Sequence, residues 1–409
     1  MKRCFADRDS IEYRCSACSA VEAQPLPRFP KKIIYLDQCA LSNIVKEKNA
    51  SWQKLHKNLE QLIGLQLIAC PRSPIHYQES MLCERWRDQL QALYKGLAAD
   101  DQFRSLHGIE RAQLRKVLRC YLGQPESSDV KDRWREANTD DPHRFTGDMR
   151  VTCLFPTNEL LVDGVKQEKQ ATHRRMQKLG DYWKQNPQSF RDAVEAEIEG
   201  YARSRIAAYR DLTDARKRME GMLSWDLLET WSRIFRPDEF HPDKPPGSDP
   251  AVELVHLLAC EVTKILPEQP DPIAVVEEFF NSKYMRLAPF LDISSRLWAT
   301  IALQTQPVRT ARKPKPSDTY DVEAVSHYAP YCDAMFLDNE FRAMASSGSV
   351  DVPKRFRVRL FSESNLAEFL NYLNVIQQCG VSPEHLTRLS LVYPEWAPLL
   401  CSTSADGDI

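Results

Sequence analysis

The chain lacks the motifs of several large enzyme classes. None of its 13 glycines is followed by lysine, and no two glycines are separated by a single residue. It therefore has neither a phosphate-binding P-loop nor the start of a dinucleotide-binding fingerprint. The sequence also contains no G-x-S-x-G and no H-E-x-x-H, the motifs of serine hydrolases and of zinc proteases. Nucleotide-driven, hydride-transfer and zinc-protease functions lose support.

Long apolar runs are missing as well. No stretch approaches the roughly 20 apolar residues that cross a bilayer, and the N-terminal MKRCFADRDS lacks the apolar core of a secretion signal. We therefore expect a cytoplasmic protein without a membrane partner, and reduced thiols for its 12 scattered cysteines. Cys15 and Cys18, with Cys4 upstream, make at most half of a zinc site, so free thiols are the simpler interpretation.

An excess of positive charge is also absent, because 55 Lys and Arg face 57 Asp and Glu, for a net charge of -2. A nucleic-acid partner would have to be held by a local basic patch. One candidate is the loop 306–318, in which Arg309, Arg312, Lys313 and Lys315 either bind phosphates or form a solvated loop. The 43% hydrophobic content of the 409 residues supports a folded core.

Helical patterns dominate the sequence. Apolar residues at mixed spacings of three and four predict a long helix over 190–219. Further helices are predicted at 52–63, 76–97, 109–120, 157–185, 224–235, 249–265, 272–282, 292–305 and 364–378. Short apolar or alternating runs predict strands at 32–36, 66–70, 333–337 and 356–361. Turn-rich passages at 123–147 and 236–250 are expected to be loops.

The predicted strands lie near the two ends of the chain and alternate with helices. Such βα alternation is typical of a parallel sheet covered by helices. We therefore predict an α/β fold, in which a small parallel sheet flanked by helices carries a large all-helical insertion. The predicted organisation is an N-terminal extension at 1–30, a core at 31–97 and 289–380, a helical insertion at 98–288 and a tail at 381–409.

Two predicted strands end in an aspartate. KIIYL is followed by Asp37, and the run Ala334 to Leu337 is followed by Asp338. Because the carboxyl ends of parallel strands meet at one edge of a sheet, these two acids are expected to converge there. Each one taken alone is more simply a helix N-cap.

Other acids surround the second of these aspartates. The block SDTYDVEAVSHYAPYCDAMFLDNEF contains Asp318, which caps a predicted helix, and Asp321, which opens it. It also contains Asp333, which directly precedes the apolar run that ends before Asp338. Converging carboxylates repel one another, and a divalent cation is the usual compensation. Oxygen ligands without His or Cys favour Mg²⁺ or Mn²⁺. His327 in this block either approaches a substrate phosphate or packs locally.

This pattern resembles the PIN-like nuclease domain. The resemblance rests on IIYLDQCALSNI, on SPIHYQES, on DTYDVEAVSHYAPYCDAMFLDNEF and on VRLFSESNLAEFLNYL, and it covers about 33–97 and 289–378. It implies a Rossmann-like three-layer core whose acids hold Mg²⁺ or Mn²⁺ and cleave RNA or structured nucleic acid. Gln38, Cys39 and Asn339 depart from the residues more common in that family.

The resemblance assigns the acids in turn. Asp37 would be the acid of the first strand and Glu79 the acid of the following helix. Asp321 would be the third acid, with Asp318 as its competitor, and Asp338 the acid after the fourth strand. Asp333 would be an additional metal ligand or a structural cap.

The function implied is a Mg²⁺- or Mn²⁺-dependent nuclease, with RNA favoured over DNA. It would suit an effector of a toxin or phage-defence system in which the helical insertion binds a protein partner. The alternative is a catalytically silent helical interaction protein that keeps a PIN-like core as a scaffold.

Overall fold

The computed structural model describes residues 2–5, 10–14, 18, 20–46, 48–81, 83, 85–98, 101–124, 134–145, 159–220, 250–306 and 312–392. The chain forms two compact units. The sheet unit comprises Met1–Arg104, Lys131–Thr172 and Tyr328–Ile409, and the helical unit comprises Ser105–Val130 and His173–His327. These boundaries differ from the predicted ones, since residues 289–327 fall in the helical unit and 131–172 in the sheet unit.

An antiparallel sheet at the N-terminus was not predicted. It has the strand order β1-β2-β3, formed by β1 (Lys2–Phe5), β2 (Ser10–Arg14) and β3 (Val21–Pro25). The strand sequences KRCF, SIEYR and VEAQP carry too few apolar residues to show the alternation that marks a half-buried strand. Cys15 lies outside the described residues, so the expectation of free thiols there stays a prediction.

The predicted small parallel sheet is confirmed. It contains β4 (Lys32–Leu36), β5 (Ile68–Ala69), β6 (Ala334–Phe336) and β7 (Arg359–Phe361) in the order β5-β4-β6-β7. All three strand pairs are parallel, with Ile34 opposite Ala334 and Ala334 opposite Arg359. Two strands come from each end of the chain, as the sequence pattern indicated.

Helices make up most of the remaining described residues. In chain order they are α1 (Gln38–Val45), α2 (Ala50–Gly64), α3 (Pro74–Met81), α4 (Arg87–Ala98), α5 (Leu106–Tyr121), α6 (Trp134–Ala137), α7 (Glu159–Gln185), α8 (Phe190–Glu220), α9 (Pro250–Ile265), α10 (Pro272–Phe280), α11 (Pro289–Thr305), α12 (Ser317–Tyr328), α13 (Asn339–Ala345), α14 (Val352–Phe356), α15 (Leu366–Gly380) and α16 (Pro383–Val392). None of the helices within the described ranges combines the length and hydropathy that a bilayer crossing requires.

Both faces of the parallel sheet are covered. On one face the fully buried Trp52 of α2 packs edge-on against Phe336 of β6, with ring centroids 5.7 Å apart, and Phe369 of α15 lies 5.3 Å from Phe336. On the other face Tyr35 of β4 stacks on His76 of α3 at 4.8 Å. Burial on both faces explains why the sequence of β4 contains an unbroken apolar run.

The helical unit has a separate core. Apolar residues of α5, α8, α9, α10 and α11 form one buried cluster, in which Leu118, Leu258 and Phe279 are fully inaccessible. The 31-residue α8 (Phe190–Glu220) matches the long amphipathic helix predicted over 190–219. Each helix of this cluster buries one apolar stripe against its neighbours, as its sequence periodicity indicates.

Some predicted elements differ from the observed ones. The single helix predicted over 76–97 is two helices, α3 and α4. A short helix, α6, lies in the passage 123–147 that was expected to be a loop. The predicted helix at 224–235 and almost all of the predicted loop at 236–250 lie outside the described residues.

Candidate active site

Asp37 and Asp338 lie side by side at the carboxyl edge of the parallel sheet. Asp37 follows β4 directly, and Asp338 follows β6 after Leu337. The strands β4 and β6 are hydrogen-bonded neighbours, and the Asp37 amide continues the ladder by donating to the Phe336 carbonyl at 2.9 Å. The sheet register therefore brings together two acids that lie at opposite ends of the sequence.

Each of these aspartates also caps a helix. The Asp37 carboxylate accepts from the Cys39 amide of α1 at 3.4 Å, and the Asp338 carboxylate accepts from the Phe341 amide of α13 at 2.7 Å. Capping satisfies an amide that has no partner inside the helix. One oxygen of each carboxylate is used in this way, which fixes how the side chain is presented at the sheet edge.

The environment of Asp37 disfavours its negative charge. Asp37 is only 8% exposed, and burial is the main reason why its pKa lies above the usual value. Hydrogen bonds with the Cys39 side chain and with the backbone of Gln38 and Cys39 lower the pKa of Asp37, while the negative charge of Asp338 raises it further. The two aspartates are thus close enough to repel each other.

Glu79 lies on the same side of the sheet unit. It belongs to α3, and the next residue, Ser80, contacts Gln38 of α1 with 3.4 Å between the Ser80 hydroxyl and the Gln38 side-chain oxygen. Burial and the nearby charge of Asp37 raise the pKa of Glu79 well above its usual value, with Lys169 acting against them. The buried Oε2 atom of Glu79 has no hydrogen-bond partner in the part of the chain that the structure describes.

Sequence reasoning missed two participants in this region. Gln38 is 9% exposed, and its buried side-chain nitrogen has no hydrogen-bond partner among the described residues. Lys169 of α7 is the cation whose charge acts on Glu79. Gln38 contacts Ser80, which lies 42 positions further along the chain, and a local sequence pattern does not show a contact over that separation. No signal in the sequence links Lys169 to Glu79.

Asp333, predicted to be an additional metal ligand or a structural cap, lies apart from Asp37 and Asp338, and a metal role for it stays a prediction. Asp333 precedes β6, so it lies at the amino edge of the sheet, about 16 Å of extended chain from Asp338. Its carboxylate accepts from the Ile33 amide at 2.9 Å and from the Lys32 ammonium at 2.8 Å. Asp333 therefore has the structural role that the sequence analysis left open.

Asp318 and Asp321 belong to the helical unit. Asp318 is 1% exposed, and both of its oxygens accept from the Arg312 guanidinium at 2.6 Å. The Lys315 amide adds a third hydrogen bond at 2.8 Å. Asp318 thus anchors the start of α12, and Arg312 is not available for a substrate phosphate. Asp321 is half-buried one turn further along α12, and its proposed metal role stays a prediction.

His327 packs locally in the helical unit, the second of its two predicted roles. It is 4% exposed; its Nδ1 lies 2.8 Å from the Glu323 carbonyl, and its Nε2 lies 3.4 Å from a carboxylate oxygen of Glu110. The same carboxylate accepts from the Tyr201 hydroxyl at 3.1 Å and lies 3.5 Å from Arg205. His327 therefore joins α12 to α5 and α8 through a buried charge network.

The acids at the sheet edge suit a hard divalent cation. Asp37, Asp338 and Glu79 offer oxygen donors only, which fit Mg²⁺ or Mn²⁺. The unpartnered Oε2 of Glu79 is the kind of buried atom that a bound cation satisfies. In the arrangement seen here, no group of three or more His, Cys, Asp or Glu side chains within the described ranges is close enough to hold an ion. The charge of Asp338 acts on Asp37, and the charge of Asp37 acts on Glu79, so these acids are close in pairs.

Comparisons with known proteins find no relative of this chain. No family model, no curated protein and no solved structure matches the chain.

Proposed function

We propose that the chain is a Mg²⁺- or Mn²⁺-dependent nuclease that hydrolyses phosphodiester bonds. One observation carries the proposal: Asp37 and Asp338 end neighbouring parallel strands, so two carboxylates that repel each other are held together at a sheet edge. A protein gains no stability from such a pair, whereas a metal site needs it. The PIN-like character of the fold and the preference for RNA are part of the proposal and rest on the sequence resemblance.

The acids have separate roles in this proposal. Asp37, Asp338 and Glu79 would hold the cation. When bound, the cation lowers the pKa of a coordinated water and stabilises the charge that develops on the phosphate. The capping hydrogen bonds of Asp37 and Asp338 hold their carboxylates in place at the sheet edge. The buried Oε2 of Glu79 is suited to orient the attacking water or to accept its proton.

A cleavage assay tests the proposal. Purified protein is incubated with labelled RNA, single-stranded DNA and duplex DNA in the presence of Mg²⁺, Mn²⁺ or EDTA, beside the Asp37→Asn variant. We expect cleavage that EDTA abolishes and that Asp37→Asn reduces by at least about 100-fold, as expected for the loss of one electrostatic stabiliser. Cleavage that survives both changes overturns the metal site.

Metal binding can be measured without activity. Mg²⁺ or Mn²⁺ should raise the thermal midpoint of the sheet unit, because a ligand that binds only the folded state stabilises it by about 2.7 kcal/mol at 100 times its Kd. The increase should be lost in Asp338→Asn and kept in the matched control Asp333→Asn, which alters an acid at the other edge of the sheet. An equal increase in both variants places the ion elsewhere.

The second candidate is a silent scaffold, and one observation favours it. Both Asp37 and Asp338 already serve as helix caps, which is a structural use for each carboxylate taken alone. A scaffold predicts no cleavage of any substrate and no metal-dependent stabilisation. It does not explain why two capping residues with repelling charges are placed on adjacent strands.

A further inference from the structure

A basic groove lies along β7, the outer strand of the parallel sheet in the described chain. Its volume is about 760 Å³, and its walls come from α13, α14, α15 and the residues that lead into β7. Among the described residues that line it are four cations, Arg342, Lys354, Arg357 and Arg359, and one acid, Glu368. We refer to this feature as the basic groove.

Three of these cations are exposed and have no acidic partner among the described residues. Lys354, Arg357 and Arg359 are exposed, and no acidic side chain among the described residues forms a salt bridge with them. The acid Glu368 accepts instead from the Asn365 side chain at 3.0 Å. The lining thus has four cations and one acid, and this excess of positive charge makes the basic groove electrostatically suited to a ligand with several negative charges.

The backbone around α14 is held in an uncommon conformation. Asp351 before this helix and Arg357 after it both have positive φ angles, 47° and 58°. This left-handed region is unfavourable for a non-glycine residue, and such conformations cluster at binding sites. The bend at Arg357 lies where the chain turns from α14 toward β7, and it sets this unpaired cation on the wall of the groove.

The groove also contains a flat surface. The Arg359 guanidinium lies 4.9 Å above the ring centroid of Tyr372, and the nearby Val375 is 44% exposed. Bases stack on arginine planes and on aromatic rings in proteins that bind single-stranded nucleic acid. An acidic peptide would match the charges, but it would not use a stacked guanidinium and ring. A nucleic-acid strand matches both features.

The basic groove begins close to Asp338. Its wall residue Arg342 lies one turn into α13, and the Arg342 amide donates to the Asp338 carbonyl at 3.0 Å. At 1.5 Å per residue, this separation is about 6 Å along the helix axis. The other end of the groove, at Arg359, lies at the amino edge of the sheet, because the Arg359 amide donates to the Asp333 carbonyl at 3.0 Å. A strand that lies along the whole groove therefore extends from that edge toward the edge that carries Asp338.

We propose that the basic groove binds the phosphate backbone of a single-stranded nucleic acid and leads it to the Asp338 edge. This inference rests on the proposed nuclease function, because it describes how that site would hold its substrate. Lys354, Arg357 and Arg359 contact phosphates, and the Arg359–Tyr372 pair supports a base. Binding would be tolerant of sequence and would weaken steeply with salt.

Fluorescence anisotropy tests the groove separately from cleavage. Fluorescein-labelled RNA and DNA oligonucleotides of one sequence are titrated with the full chain in EDTA, with Asp37→Asn as the background so that no strand is cut. The groove variant carries Lys354→Gln and Arg357→Asn, because asparagine tolerates the left-handed conformation. The matched control carries Lys54→Gln and Lys57→Gln, which remove two exposed charges from α2.

We expect the groove variant to bind about tenfold more weakly, with the slope of log affinity against log salt reduced by about 1.4 for two lost phosphate contacts. The control should keep the affinity and slope of the parent. Unchanged binding by the groove variant, an equal loss in the control, or no binding by the parent overturns the proposal. Displacement of the oligonucleotide by polyglutamate at equal charge concentration also overturns it, in favour of an acidic peptide.

The two proposals fail in distinguishable ways. If the chain with Asp37 intact cleaves nucleic acid and the groove variant has the same KM, the groove proposal fails and the nuclease stands. If the chain cleaves nothing with either metal but the groove variant still loses oligonucleotide binding, the nuclease proposal fails and the groove remains a nucleic-acid-binding surface.

Discussion

Asp37 and Asp338 have nearly the same backbone conformation, with φ and ψ of -68° and 160° for Asp37 and -66° and 164° for Asp338. Each is an extended residue between a buried strand and the helix that it caps. Two adjacent parallel strands thus end in the same local arrangement. Their shared conformation lets substitutions separate the capping role of each acid from the role that they have together.

Replacing Asp37 by asparagine should preserve stability while removing activity. Asparagine caps helices about as well as aspartate, and the change removes a buried negative charge beside Asp338. The free energy of unfolding should therefore stay the same or rise, whereas Asp37→Ala should lower it by about 1 kcal/mol through loss of the cap. Denaturant titrations measure both. A large loss of stability in Asp37→Asn would mean that its charge has a structural role.

Asp333 should be important for stability and not for activity. Its carboxylate accepts from the Ile33 amide and from Lys32, so Asp333→Ala should cost about 1 kcal/mol of unfolding free energy. The exposed ion pair with Lys32 contributes little of this. Nuclease activity per folded molecule should equal that of the unaltered chain. A loss of 100-fold, as expected for Asp338→Asn, would restore Asp333 as a ligand.

The buried pair of Asp318 and Arg312 should be strongly coupled. Removing either partner leaves the other charge buried and unpaired, so Asp318→Asn and Arg312→Met should each cost about 3 kcal/mol. The double variant should cost less than the sum of the two, which a double-mutant cycle of unfolding free energies measures. Additive losses would show that the two side chains do not interact in solution.

The parts of the fold that could be predicted are those with a local signal. The buried strand β4, the strand β6 and the long α8 each have a recognisable apolar pattern within their own sequences. The break between α3 and α4 carries none. Across this break the Arg87 side chain donates to the nearby Met81 carbonyl at 2.9 Å, and Trp86 packs against the core of the sheet unit, a tertiary contact that the local pattern does not show.

The acids show the same division. The position of Asp338 after a strand could be predicted because the apolar run before it is clear. Asp333 borders the same run on its other side, so the order of the residues already places it at the opposite edge of the sheet. Asp318 looked like a free acid at a helix start, because its pairing with Arg312 depends on how the preceding loop folds back.

The charge network around Glu110 should make stability depend on pH. Burial acts to raise the pKa of Glu110, but hydrogen bonds with His107 and His327 and the charges of His327 and Arg205 outweigh it and hold the pKa well below the usual 4.5. The Tyr201 hydroxyl also faces this carboxylate. A depressed folded-state pKa means that the stabilisation is complete above the unfolded pKa and is lost as the pH falls toward the folded one.

The test compares Glu110→Gln with the unaltered chain over a range of pH. At pH 7 the variant should be less stable by about 3 kcal/mol, because Arg205 loses a buried partner. This difference should shrink as the pH falls below about 4.5. The control Glu199→Gln, at an exposed acid paired with Arg203, should change stability by less than about 0.5 kcal/mol at any pH. A difference that is constant with pH would contradict the network.

The pairing of β4 with β6 has a consequence for synthesis of the protein. Ile34 pairs with Ala334, so Asp37 reaches the ribosome exit long before the strand that brings Asp338 beside it. A nascent chain, or a fragment that stops before β6, carries the first acid without the second. The two acids can meet only after the chain has been translated through Asp338, which is position 338 of 409. Under the proposed function, the metal site would stay incomplete until the strand β6 has been translated and has paired with β4.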